Sequence, residues 1–131
     1  MKIFGHPWIE SEDFVEIDSL LAIKQTKPAS ILLFDDMKHS IELLHYCQRE
    51  ALPTAVRVDE IKHAIFANLL NVQYIITPLE KASEIQALVQ HYLFDTQVVV
   101  EIESEDEIER YAKMGIDGVI FATAIISMRQ V

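Results

Sequence analysis

Five short apolar runs, beginning near residues 30, 54, 72, 97 and 118, constrain this chain more than any other feature. Ile31-Leu32-Leu33-Phe34 and Val98-Val99-Val100 are unbroken rather than alternating. Unbroken runs imply strands buried on both faces. The segments between them carry apolar residues three and four apart, as in Ile41, Leu44, Cys47 and Ala51, or Ala82, Ile85, Leu88, Val89 and Tyr92. That is the period of an amphipathic helix. Strands joined through helices run parallel, with right-handed crossovers. The expected fold is α/β, a three-layer domain over residues 30–131 with about five parallel strands and helices on both faces.

Local signals set the boundaries. Asp36 is placed to cap a helix from Met37 to Glu50, and Asp59 to cap the next. Pro53 and Pro78 punctuate the second and third strands. Ser104 and Glu107 match a capping box, and Gly115 suits the residue just past a helix end. Residues 1–29 read as an irregular N-terminal extension packed on the domain. Lys2–Phe4 and Phe14–Ile17 could be short strands within it, and Ser19–Lys24 a short helix. Trp8, being large and apolar, is expected to dock onto the main domain. This extension should cover a sheet edge or join a homodimer.

With a formal net charge of −10, the chain repels phosphate backbones and anionic lipids. Neither nucleic-acid nor membrane binding is expected; a protein partner or a second copy is. The acidic stretch Glu101–Glu109 reads as a solvated helix start. One cysteine, Cys47, suits a reducing cytoplasm. Glu10, Glu12 and Asp13 fall where an export signal needs an apolar core, so no such signal is expected.

In a parallel sheet the C-terminal strand ends are the default site. Here they present Asp35, Asp36, Asp59, Thr77 and Thr123 as candidate ligand contacts, with His39 one turn beyond Asp36. Asp35 and Asp36 are also the candidate metal ligands: no cofactor is called for, although the two could hold Mg²⁺. Arg57 alternates with Val56 and Val58 inside a run that should be buried. It therefore needs an edge strand, a salt bridge or a subunit contact. Only three glycines occur, so P-loop and dinucleotide fingerprints are absent. No Gly-x-Ser-x-Gly elbow is present either, and no nucleophile, base and orienter can be proposed.

The run Ile31-Leu32-Leu33-Phe34-Asp35-Asp36 resembles the first strand of response-regulator receiver domains, of flavodoxin-like fold, which ends in paired acids. The element order from Ser30 onward is similar too. The resemblance implies a regulatory module, but Thr77 stands where the family's phosphoacceptor Asp would be. Ala122-Thr123 stands where its Lys would be. The implied function is a non-enzymatic regulatory or protein-interaction module, not competent for aspartyl phosphorylation. The alternative is a small metal-dependent or phosphorylated-ligand-binding enzyme using the carboxylates at the strand ends. Residues 98–121 resemble the late βαβ units of phosphate-binding TIM barrels, such as indole-glycerol-phosphate synthase. That likeness implies a half-barrel with open edges, but no glycine stands in the turn Phe121–Ala124.

Overall fold

A computed structural model describes residues 1–127; the last residues of the expected domain, 128–131, lie outside the described residues. The chain forms β1 (Lys2–Phe4), β2 (Phe14–Glu16), α1 (Leu20–Gln25), β3 (Ile31–Phe34), α2 (Ile41–Arg49), β4 (Thr54–Arg57) and α3 (Ile61–Leu69). It continues through β5 (Tyr74–Thr77), α4 (Leu79–Tyr92), β6 (Gln97–Ile102), α5 (Ile108–Lys113), β7 (Gly118–Phe121) and β8 (Ile125–Ser127).

All strand pairs among the described residues are parallel, and the sheet order is β1-β7-β6-β5-β4-β3-β2-β8. The α/β class and the parallel sheet are as expected, but there are eight strands, not about five. The three additional strands are each three residues long. Two of them lie in the N-terminal segment, so residues 1–29 contribute two strands to the sheet. β1 covers the outer edge of β7, and β2 that of β3.

That order forces the sheet to curl. β7 and β8 are separated only by the 3₁₀ turn Ala122–Ala124, yet they sit near opposite ends of the order. In a flat sheet they would stand six strand spacings, roughly 29 Å, apart, which a link reaching at most about 14 Å does not span. The result is a half-barrel whose two ends are drawn together. Rings from both ends meet the middle: Phe4 of β1 and Phe14 of β2 lie 4.9 Å apart, and each packs on Tyr74 of β5 at 5.3 and 5.6 Å.

The expectation of helices on both faces is corrected by the same curl. Phe4, Phe14, Ile31, Leu33, Ala55, Tyr74, Ile76, Val99 and Ile120 point inward and bury one another. The alternate residues, Leu32, Val56, Ile75 and Val98 among them, face outward under helices α1 to α4. Val100 and Val119 lie under Ala82 and under Tyr111 of α5. The apolar residues of β3 to β7 are buried on both faces, but one face is buried by the sheet itself, so there are two layers and not three. Strand order also runs in sequence from β3 to β7, with none of the reversal that makes a crevice in a doubly wound sheet.

The capping box forms as expected: Ser104 Oγ accepts from the Asp106 amide, and Glu107 Oε2 accepts from the Ser104 amide at 3.1 Å. Gly115 takes the positive φ, 78°, that ends α5. The helix expected from Met37 starts at Ile41 instead. Met37 is buried in the outer core, and a turn over 37–40 carries it there before the helix begins. Glu60, not Asp59, precedes the next helix, without a side-chain cap. Trp8, expected to dock, is 88% exposed.

Candidate functional site

Because the strands are parallel and curled, their C-terminal ends converge on one mouth, where functional side chains gather in closed α/β barrels. Period-two alternation decides which residues reach inside. Glu16 follows Phe14, Asp35 follows Leu33, Arg57 follows Ala55 and Glu101 follows Val99, each one step further along an inward-facing row.

Arg57 is the centre of this group. Its Nη1 donates to Glu101 Oε1 at 3.2 Å, its Nε lies 3.5 Å from Asp35 Oδ1, and its Nη2 lies 3.8 Å from Glu16 Oε2. One guanidinium on β4 thus bridges β2, β3 and β6. β4 is an inner strand of the sheet, so the conflict posed by Arg57 is resolved by ion pairs and not by an edge. Only the Glu101 contact has hydrogen-bond geometry. The other two are longer than a hydrogen bond, so guanidinium donors and carboxylate acceptors remain for another molecule.

Two adjoining open clefts, of about 430 and 420 Å³, flank the end of β3 and share Asp35 and Asp36. The first is walled by Glu16, His39 and Ser40, the second by Arg57, Asp59, Thr77 and Glu101. Of the residues expected from the sequence, Asp35, Asp36, Asp59 and Thr77 therefore line one cleft. They do not act alike. Asp35 faces Arg57, whereas Asp36 turns outward to His39, whose amide donates to its Oδ1 at 2.7 Å and whose Nδ1 lies 2.9 Å from its Oδ2. These bonds from the His39 ring and then from its amide hold the Asp36 carboxyl below its ordinary pKa. Thr77 is buried, and its hydroxyl donates to the Pro78 carbonyl at 2.8 Å.

Thr123 lies elsewhere. Its hydroxyl donates to the Gly5 carbonyl at 2.9 Å and pins the loop after β1. Among the described residues no group of three or more His, Cys, Asp or Glu is arranged to hold a metal ion. Asp35 and Asp36 share the rim of both clefts but engage different partners, Arg57 and His39. Cys47 is fully buried on the inner face of α2, and that burial pushes its thiol up to about 11.

Glu16 and Glu101 were missed as site residues. Glu101 was legible: it interrupts the apolar run Val98-Val99-Val100-Glu101-Ile102 as Arg57 interrupts the second strand. Two opposite charges breaking two buried runs at the same end were a signal for a pair. Glu16 sits in a strand of three residues and gave no such signal.

A larger cavity, about 770 Å³, opens at the other end of the strands between Cys47, Leu52, Asn68 and Thr96. Its polar groups are largely committed to each other: Thr96 Oγ1 donates to the Val72 carbonyl at 2.6 Å, and Gln48 Nε2 to the Leu69 carbonyl. The mouth has chemistry of both signs, which size alone does not supply. No described helix is long and apolar enough to cross a membrane. Compared with protein-family models and with curated proteins, the chain finds no match in either.

Proposed function

We propose that this chain is a non-enzymatic binding module of regulatory or protein-interaction role, whose C-terminal mouth takes a small polar ligand between Arg57 and its three carboxylates. The observation that carries the reading is the incomplete bonding of Arg57: two of its three partners stand beyond hydrogen-bond length. A hydroxyl- or amino-bearing ligand would donate to the carboxylates and accept from the guanidinium. Carboxylates outnumber the guanidinium there, which disfavours phosphorylated ligands.

The different partners of Asp35 and Asp36, with Thr77 buried and bonded, support a module that does not accept a phosphoryl group on aspartate. Incubation with Mg²⁺ and a small phosphodonor tests this: stable aspartyl phosphate on Asp35 or Asp36 would overturn it.

Ligand binding is tested by thermal unfolding with panels of polyols, diamines and phosphomonoesters. A ligand that binds the native state raises the midpoint by mass action. The expected result is a rise with a polyol or diamine that disappears in Glu101→Gln and Arg57→Gln. No rise with any panel, an equal rise in the variants, or the largest rise with phosphomonoesters would sink the reading.

A cleft lined by the carboxylates of Asp35, Asp36, Asp59 and Glu101 supports a second reading, a small metal-dependent enzyme, although these carboxylates are not gathered within a metal ion's reach as they stand. Stabilisation by Mg²⁺, Mn²⁺ or Zn²⁺ that is lost in Asp35→Asn would favour it over the first.

A further inference from the structure

We infer that the groove beside Trp8 is a docking surface for a basic peptide segment of a protein partner, one that presents Lys or Arg next to an apolar residue. It is separate from the mouth and stands whether or not the mouth binds a ligand.

The groove, of about 500 Å³, lies between the loop that follows β1 and the start of α5. Trp8, Ile9 and Ile108 give it an apolar floor, and Glu105, Asp106 and Glu109 give it an acidic wall. An indole carries roughly 150–250 Å² of largely apolar surface. Here it is 88% exposed, on a loop that the protein holds in place rather than leaving to find cover.

His6 does the holding. Its Nδ1 accepts the Trp8 amide at 3.1 Å, so its Nε2 carries the proton and donates to Glu105 Oε2 at 2.7 Å. The Ile9 amide donates to the His6 carbonyl at 3.0 Å. At the loop's start, the Gly5 amide donates to Ser11 Oγ and the Gly5 carbonyl accepts from Thr123. Gly5 has φ 88°, and a Cβ there would lie 2.8 Å from Thr123 Oγ1, so that close approach requires glycine. A pre-positioned, exposed tryptophan is the kind of side chain that dominates protein interfaces.

Charge selects the occupant. Glu105 is engaged with His6 and Glu109 with Lys113, but among the described residues no partner of the Asp106 carboxylate is recorded. A cation beside Asp106 could also lie over the indole face, which attracts cations. A nucleic acid or an anionic membrane would meet this acidic wall, and a chain of net charge −10, with repulsion.

Trp8 is the sole tryptophan, so its emission reports this groove alone. The test is selection from a random peptide library on the intact protein, followed by titration of synthetic copies of the enriched peptides. The expected peptides pair Lys or Arg with an apolar residue, shift the Trp8 emission saturably, and by calorimetry bind about tenfold more weakly or worse to Trp8→Ala and to Asp106→Asn. Trp8 and Asp106 are exposed, so neither variant threatens the fold. No enrichment, enrichment of acidic or uncharged peptides, or undiminished binding to both variants would overturn the proposal. So would a concentration-dependent emission change without peptide, which marks a second copy as occupant, or a larger response to RNA or anionic vesicles.

Discussion

Arg57 on β4 reaches over β5 to Glu101 on β6, Nη1 to Oε1 3.2 Å, and so joins strands that are not neighbours in the sheet. The same guanidinium faces Asp35 and Glu16 on its other side. Replacing it by alanine leaves three carboxylates around one mouth with no cation between them. The pairs are partly exposed, and such pairs contribute roughly 0.2–1 kcal/mol each. Arg57→Ala should therefore lower stability by about 1 kcal/mol in urea unfolding at low salt. Added salt screens exposed charges, so the gap to the parent protein should shrink as ionic strength rises. A gap that is unchanged in high salt would show that Arg57 acts by packing its stem and not by charge.

Tyr74 fills the inside of the curl. Its ring meets Phe4 and Phe14, and its hydroxyl accepts from Lys2 Nζ at 2.8 Å. Truncating a buried aromatic to alanine costs about 3–5 kcal/mol, because the surrounding side chains collapse only partly. Tyr74→Ala should lose that much, whereas Tyr74→Phe keeps the ring contacts and should lose about 1 kcal/mol with the hydrogen bonds from Lys2 and Gln73. Chemical unfolding of the two variants side by side checks the ratio. Equal losses would mean that the hydroxyl contacts, not the ring cluster, hold the ends of the sheet together.

The residues explain which parts of this architecture could be read beforehand. Unbroken runs such as Ile31–Phe34 announce a strand buried on both faces, but the pattern is the same whether a second helix layer or the opposite wall of a curl does the burying. Leu33 and Ile76 look no different in the two cases. β1, β2 and β8 have three residues each, too few for any periodic signal, and they are what turns an open sheet into a curl. At the mouth, Asp35 was visible because no cap needed it, and Arg57 because it broke an apolar run. Their convergence with Glu16 depends on the curl, which the apolar runs did not disclose and only the half-barrel likeness of residues 98–121 suggested.

Three helix ends carry a left-handed residue that is not glycine; after α3 it is Asn71, φ 59°, a residue type that tolerates the conformation, but the other two are less suited. Leu93, after α4, has φ 55°, and Ala51, after α2, has φ 54°. The left-handed conformation costs a residue with a Cβ roughly 1–2 kcal/mol. Glycine removes that cost but gives back about 0.5–1 kcal/mol in backbone entropy. Leu93 is 84% exposed, so little packing is lost with its side chain. Leu93→Gly should raise stability by about 0.5 kcal/mol, seen as a higher thermal midpoint. A lower midpoint would mean that the Leu93 side chain makes a stabilising contact despite its exposure.

Buried on the inner face of α2, the Cys47 thiol is raised to about 11, so thiolate is scarce at neutral pH and the side chain is enclosed. An aromatic disulfide reagent should leave the native protein unmodified over hours and react at once in denaturant. Fast reaction without denaturant would reveal local opening of α2.

Acid sensitivity should contain a contribution from the turn after β3. Asp36 accepts from the His39 ring and amide, and these bonds lower its pKa in the folded chain from the ordinary 3.8. A group whose folded pKa is depressed contributes stability that is present above its unfolded pKa and is lost as pH falls through the folded one. Between those two values the unfolded chain binds the extra proton, so stability falls with acid. Asn at 36 keeps an acceptor for the amide but does not titrate. Asp36→Asn should thus be slightly less stable than the parent at neutral pH, with the difference closing below about pH 4. Urea midpoints measured from pH 7 down to 3 check this, and parallel curves would place the acid sensitivity in carboxylates other than Asp36.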